Sequence, residues 1–312
     1  MTEIIAKPAP IAVFVYNRPQ HARNALLSIL SNPEASESLI SVYCDGPRSS
    51  DDVEAVEATR KAVREVVPQA ERIERETNLG LAESVISGVT RQCREHGRVI
   101  VVEDDLVLSP VALRYLNLAL ERYRNQDRVM HVSAYMFPVQ RELPSAFFYR
   151  EATCWGWATW ARAWAHFEPD PRVIRDRVRA ESDVSEFNIR DSMYFWEMLE
   201  AQIDGRVDSW AIRWYGSMFL RGGLALHPWR SLVENHGFDG SGVHSAATTD
   251  FEVELSETVP EMPEEIRECE EALIAMIDYR TRQREVPGVG RLCGYLRRTL
   301  EYLRRGFSGG GP

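Results

Sequence analysis

The run Val99-Ile100-Val101-Val102-Glu103-Asp104-Asp105 constrains this chain more than any other stretch. Four β-branched residues in succession read as a strand buried on both faces, as in parallel sheets covered by helices. The strand ends in three carboxylates. Leu106, Val107 and Leu108 then restore apolar character before Ser109-Pro110 opens a helix. Bare carboxylates crowded at the end of a core strand repel one another and resist desolvation. Something must compensate them where the strand stops.

The first 135 residues alternate strand and helix signals. Ile11 to Tyr16 is a short apolar strand that stops at Asn17-Arg18-Pro19, and Pro19 suits the first turn of the next helix. That helix carries Ala22, Ala25, Leu26, Ile29 and Leu30 at helical spacing and ends at Asn32-Pro33. Leu39 to Asp45 is a second strand, followed by a loop from Gly46 to Ser50 and a helix to about Val67. "RIERET" reads as a short strand, Gly80 to His96 as a helix, Val111 to Arg124 as a helix and "VMHVSAYM" as a strand. This alternation predicts an α/β fold with a mostly parallel sheet, whose ligands bind beyond the strand C-termini. Asn17, Arg18, Asp45, Asn78 and Glu103 to Asp105 all fall at those ends or on the loops beyond, and should converge on one crevice.

Composition limits what that crevice serves. The 312 residues, 44% hydrophobic, suffice for one large α/β domain or two small ones. A net charge of −10 argues against a general nucleic-acid binder, though not against a nucleotide. No basic segment followed by an apolar stretch opens the chain, and no apolar run is long enough to span a bilayer. The five scattered cysteines lack CxxC spacing and read as reduced thiols of a cytoplasmic protein.

A strand-terminal acidic triplet in a nucleotide crevice is best compensated by a hard divalent cation, Mg²⁺ or Mn²⁺, completed by water and substrate phosphates. Here the sequence resembles the GT-A glycosyltransferases. "VVEDDLVLSP" is similar to the strand-to-helix passage of the N-acetylglucosaminyltransferase I type, and "FVYNRP", "CDG" and "NLG" resemble family 2 glycosyltransferases. The resemblance spans residues 8 to 250. It implies that Asp105 ligates the metal, that Asp104 contacts ribose or a metal-bound water, and that Glu103 sits nearby as a structural or sugar-binding carboxylate. It places Arg18 and Asp45 at the base and ribose of the nucleotide. Asn78 is either a nucleotide contact or a turn residue.

The second half has a different texture. "CWGWATWARAWAHFEPD" carries four tryptophans, and Trp157, Trp160, Ala161 and Trp164 follow helical spacing. Related enzymes have a "GWG"-type segment at the sugar site. Trp155 and Trp157 are therefore expected there, with Trp160 and Trp164 in the core; sugar C–H faces stack well on indole. Inverting transfer needs a general base for the acceptor hydroxyl. Asp191, Asp204 and Asp208 compete, and Asp208-Ser209-Trp210 best fits the family's "DDW" segment, although Ser209 intervenes. Asp208 would also serve as a helix N-cap. His244, with His236 as competitor, resembles the late histidine that completes many GT-A metal sites. Arg213 and Arg230 are further candidates for the diphosphate.

From Asp250 the chain turns acidic, then basic: Leu292, Tyr295, Leu296, Leu300 and Leu303 recur at helical spacing among five arginines. The segment 291–307 can lie on anionic lipid, pack on the catalytic domain or meet a second subunit. The expected organisation is a GT-A domain over 8–250, in a nucleotide-binding half (8–135) and a catalytic half (136–250). An acidic linker and an amphipathic helix over 251–312 follow. The expected activity is metal-dependent transfer from a nucleotide sugar, UDP-linked first, to a glycan or lipid-linked acceptor in surface polysaccharide assembly. The expected place is the cytoplasm, peripheral to the membrane. A sugar-1-phosphate nucleotidylyltransferase and a non-catalytic binding protein are the alternatives; the first should carry a Gly-rich basic loop that "YNRPQHARN" lacks.

Overall fold

The computed structural model describes residues 7–238 and 251–285. Strand β1 (Ile11–Val15) leads into helix α1 (Pro19–Leu30), β2 (Ile40–Cys44) into α2 (Val53–Val66), and β3 (Glu71–Glu74) into α3 (Leu81–His96). Next come β4 (Arg98–Glu103), β5 (Leu106–Leu108), α4 (Ala112–Arg122), β6 (Val129–Ser133), β7 (Ala146–Tyr149) and β8 (Trp157–Trp160). The helices α5 (Ala161–Trp164), α6 (Pro171–Glu181), α7 (Val184–Phe187), α8 (Phe195–Ile203) and α9 (Trp210–Phe219) follow. Strands β9 (Leu224–Pro228) and β10 (Val233–Asn235) and helix α10 (Glu270–Glu285) complete the order.

One eight-stranded sheet runs β3-β2-β1-β4-β8-β6-β9-β7. Six strands share a direction, and β8 and β7 oppose it. The fold is α/β, with a mixed, mostly parallel central sheet flanked by helices. Leu106–Leu108 does not lead directly into a helix: it forms β5, antiparallel to β10 in a small second sheet.

Helix α3 packs on β1 and β4 and against α5 and α9. It approaches so closely at Gly88 that a Cβ there would stand 2.7 Å from the Phe14 ring. Gln92 fastens it by donating to Ser41 Oγ and Tyr43 Oη at 3.1 Å. Helices α1 and α4 lie on the other face, linked where Leu113 N donates to Asn32 Oδ1 at 2.9 Å.

The tryptophan segment corrects the helical reading. Trp157–Trp160 is a strand between β4 and β6, so residues three apart point to opposite faces. Trp157 meets Trp164 and Trp210 on the α3 face, whereas Trp160 Nε1 donates to Leu120 O of α4 at 2.9 Å. Spacings of three and four mimic a helix because a four-residue strand runs straight into the one-turn α5.

The stretch after Phe251 is laid along the domain rather than set off as a linker. Ser256 N donates to Ser231 O, Ser109 Oγ to Ser256 O, and Cys269 N to Phe148 O. Helix α10 buries Ala272, Leu273, Ala275, Met276 and Tyr279 in a second core with Tyr135, Phe147, Phe187 and Tyr215. The segment 291–307 lies outside the described residues.

Candidate active site

Glu103 is the last residue of β4 and pairs with Phe14. Its side chain therefore takes the α3 face, as do those of Val101 and its partner Trp157. Asp104 and Asp105 occupy the turn into β5. Arg18, the residue before α1, reaches across from the end of β1. Its Nη2 donates to Asp104 Oδ1 and, at 2.9 Å, to Asp105 Oδ2. The Tyr16 amide adds a 3.3 Å bond to Asp104 Oδ2.

One guanidinium thus answers three carboxylates. Burial, then the charges of Asp105 and Asp104, push the Glu103 carboxyl well above the ordinary carboxylate range. Burial likewise pushes Asp104 up to about 6, against the pull of Arg18. Burial disfavours the charge on Arg18, but Asp104 and Asp105 more than reverse this and raise its pKa. Among the described residues, Arg18 leaves two negative charges uncompensated there when all three carboxylates are ionised.

His236 N bonds to Asp105 O at 2.8 Å and brings Gly237 against the side chain. A Cβ on Gly237 would stand 2.3 Å from Asp105 Oδ2, so only glycine lets the main chain pass this close to the carboxylate. Among the described residues no cluster of three or more His, Cys, Asp or Glu forms a cage. A hard dication held by one or two carboxylates, with its other positions left to water and phosphate, fits this donor set. Asp105 would hold it, beside Asp104. His236 Nε2 is directed to Glu234 at 2.9 Å, and His244 lies outside the described residues.

Beside the carboxylates, the loops after β1 and β2 interlock. Tyr16 Oη donates to Asp52 Oδ2 at 2.7 Å and Asn17 Nδ2 to Asp52 Oδ1 at 3.4 Å. Arg48 lies over the Tyr16 ring at 5.4 Å and donates to Asn78 Oδ1 at 3.3 Å. Asn78 Nδ2 closes the circuit on Gly46 O at 2.9 Å. Asp45 is buried, and its carboxylate accepts from the amides of Gly46, Leu79 and Gly80, each at 2.9 Å. Asp45 therefore clamps the loop that carries Asn78. Tyr16, Arg48 and Asp52 were not legible as site residues. "YNR" and "RSSDD" lie 30 residues apart, and only the parallel pairing of β1 with β2 joins them.

Cys154 lies close enough to Glu103 and Asp105 to feel their charge, and Trp155 follows it. Trp155 is half-buried and packs edge-on against Tyr135, Phe238 and Phe251 at 4.5 to 5.5 Å. Trp157, expected at the site, is instead fully buried, stacked between His131 and Trp210. Burial, then Glu103, push the Cys154 thiol up, which leaves it a poor nucleophile.

The three candidate bases separate. Asp208 stands before α9, with its side chain 65% exposed and paired to Arg213 at 2.9 Å. Ser209, not Asp208, is the N-cap, its Oγ accepting from Ile212 N. Trp210 stacks on Trp157, whose partner Val101 lies two residues before Glu103, so α9 opens on the same face and end of the sheet as Glu103. Asp191 is not brought to the triplet. It accepts from Ser185 Oγ at 2.8 Å, beside the ion pairs of Glu186 with Arg150 and of Arg190 with Glu270. Those flank the end of β7, the fourth strand beyond β4. Ile189, Arg190 and Asp191 all have left-handed φ of 52° to 59°, a strained turn held by the buried Ile189 and these polar contacts. Asp204 pairs with Arg206 at 2.8 Å, and Arg230 lies over the Trp229 ring.

No family model and no curated protein matches this sequence. Among solved structures the chain is similar to a crystal structure of GalNAc-T7 with UDP, GalNAc and Mn²⁺. That match has 9% identity and a TM-score of 0.46, covering 74% of this chain and 44% of that one. It is also similar to TarS 1–349 from S. aureus, at 16% identity and a TM-score of 0.30, covering 43% of this chain and 38% of that one. The matched portion is less than half the length of each. At these values the functional reading rests on the residues of the site.

Proposed function

We propose that this protein is a GT-A glycosyltransferase that moves a sugar from a nucleotide diphosphate donor, UDP-linked first, to a glycan or lipid-linked acceptor with inversion. The observation that carries this reading is the acidic end of β4, where three carboxylates are crowded at the strand C-terminus and one guanidinium bridges two of them. A divalent cation bound there supplies the missing charge and stabilises the departing diphosphate. Helix α1 opens at the same place, with no side-chain cap and no acid in its first turn, which suits phosphate oxygens. The Tyr16–Arg48–Asn78 circuit offers a flat cationic rim for the nucleoside. Trp155 offers an indole face for a sugar. Asp208, exposed at the same end of the sheet, takes the proton of the acceptor hydroxyl, and Arg213 holds its carboxylate in place.

Calorimetric titration of the full chain with UDP, with and without Mn²⁺, is the first test. Binding should strengthen with the metal, and Asp105→Ala should abolish the metal-dependent part while the fold persists. Asp208→Asn should lower turnover of the donor by roughly 10²–10⁴ with UDP binding retained. Metal-independent UDP binding, or binding without turnover of any nucleotide sugar, would leave a nucleotide-binding protein instead. Loss of activity in Asp191→Asn with a parental Asp208→Asn would move the base.

A further inference from the structure

We infer that Arg18 is an exchange residue: it neutralises Asp104 and Asp105 while the site is bare, and passes to the donor diphosphate when a cation takes its place. The inference rests on the function proposed above. A single nitrogen, Nη2, bridges the two carboxylates. The oxygen it occupies on Asp105, Oδ2, is also the one the Gly237 main chain approaches, so the guanidinium and the backbone bound it together. A dication held by these carboxylates and the guanidinium that bridges them repel each other at close range. Metal binding therefore competes with Arg18, and the metal alone should bind weakly.

Arg18 is built to be evicted. It lies just outside the first turn of α1, where its backbone carbonyl accepts from Ala22 N and fixes the main chain while the long side chain turns. Its side chain keeps 20% of its surface in solvent. Arg18 is itself the N-cap residue of α1, and no side chain caps that N-terminus, where anions are favoured. The planar fork of a guanidinium matches two phosphate oxygens, so a diphosphate offers a partner as good as the carboxylates it leaves. Cation and diphosphate then help each other to bind, and that help is reciprocal.

The test is Mn²⁺ binding, read from the EPR signal of free Mn²⁺, for the full chain with and without UDP. The parent should bind Mn²⁺ weakly alone and about tenfold or more tightly with saturating UDP. In Arg18→Met, Mn²⁺ alone should bind several-fold more tightly than in the parent, and the enhancement by UDP should largely vanish. Arg18→Lys keeps a competing charge without the fork. It should bind Mn²⁺ alone about as weakly as the parent and lose most of the enhancement. Equal or weaker Mn²⁺ binding in Arg18→Met, or undiminished enhancement in either variant, overturns the exchange. If Arg18→Met does not fold, the enhancement in Arg18→Lys decides alone. Failure of the parent to bind Mn²⁺ even with UDP overturns the metal reading itself, a different result from a parent and variants that bind alike.

Discussion

Glu103 and Asp104 tie the site to the stability of the fold, because their carboxyls hold protons more tightly when folded than when unfolded. For Asp104, raised from 3.8 to about 6, the favourable contribution is complete below about pH 4 and is lost as pH rises through 6, a matter of a few kcal/mol. His131 works the other way. Its Nε2 donates to Thr153 O at 3.0 Å and its Nδ1 accepts from Trp214 Nε1 at 3.2 Å, which fixes a neutral tautomer. Burial, aided by His227, pushes its pKa down to about 3. Its contribution is present above about pH 6.5 and is lost as pH falls toward 3. Between pH 4 and 6 the two effects oppose each other. Glu103→Gln, studied in chelator, should raise the melting temperature at pH 7.5, with the gain shrinking toward pH 4.5, where the Glu103 carboxyl of the parent is protonated in the unfolded chain as well and no longer penalises folding. A variant less stable than the parent at pH 7.5 would show that Glu103 is compensated by a contact other than Arg18. The triplet and Arg18 were legible as residues at strand ends, because strand C-termini in parallel sheets share one edge. That a single Arg18 nitrogen spans two carboxylates was not, since side-chain reach leaves no mark on spacing. Asp45 shows the same limit: "DGP" marks a turn, but not the amides of Leu79 and Gly80 that occupy its carboxylate.

At the scale of elements, periodicity succeeded where an element was long and failed where two short ones abut. Helices α1 and α3 stand within two residues of their expected bounds, because each repeats its apolar face over three turns or more. Trp157–Trp164 has no such length, and the apparent stripe breaks into strand and helix. Helix α10 carries the other surprise. Arg280 is fully buried, paired with Glu151 and donating to Tyr149 Oη at 3.1 Å. An arginine within "IDYRTRQRE" reads as a solvated face, and only the tertiary partner accounts for its burial. Glu151 also accepts His227 Nε2 on its carbonyl at 2.8 Å and opens the segment that carries Trp155 to the crevice. Removing one member of a buried pair strands the other charge, so Arg280→Met should cost about 3–5 kcal/mol in urea unfolding. Arg280→Met combined with Glu151→Leu should recover much of that loss. Additive losses would mean that the pair is not the main interaction of either side chain.

For the whole molecule, composition was informative about class and misleading about boundaries. Excess acid and a core-sized apolar fraction fit an α/β domain, but the acidic run after Phe251 read as a linker. It is attached through its backbone and a few buried side chains, which composition does not register. Ser145 Oγ donates to Glu261 O at 3.0 Å, and Tyr123 Oη to Pro263 O at 2.5 Å, while Glu252, Glu254, Glu257, Glu261, Glu264 and Glu265 are exposed and Glu268 pairs with Arg150. Phe251, Leu273, Met276 and Tyr279 then enter the second core. At about 1.5–3 kcal/mol for each large apolar side chain, their burial is comparable with the 5–15 kcal/mol that holds a typical domain folded. A chain ended at residue 250 should therefore lose its cooperative thermal transition. One ended at residue 290 keeps all of these contacts and should melt as the parent does. Far-UV circular dichroism on both truncations decides the matter. A cooperative transition near the parental temperature in the 1–250 chain would make residues 251–285 an appendage, and the folded body would then end where the acidic run begins.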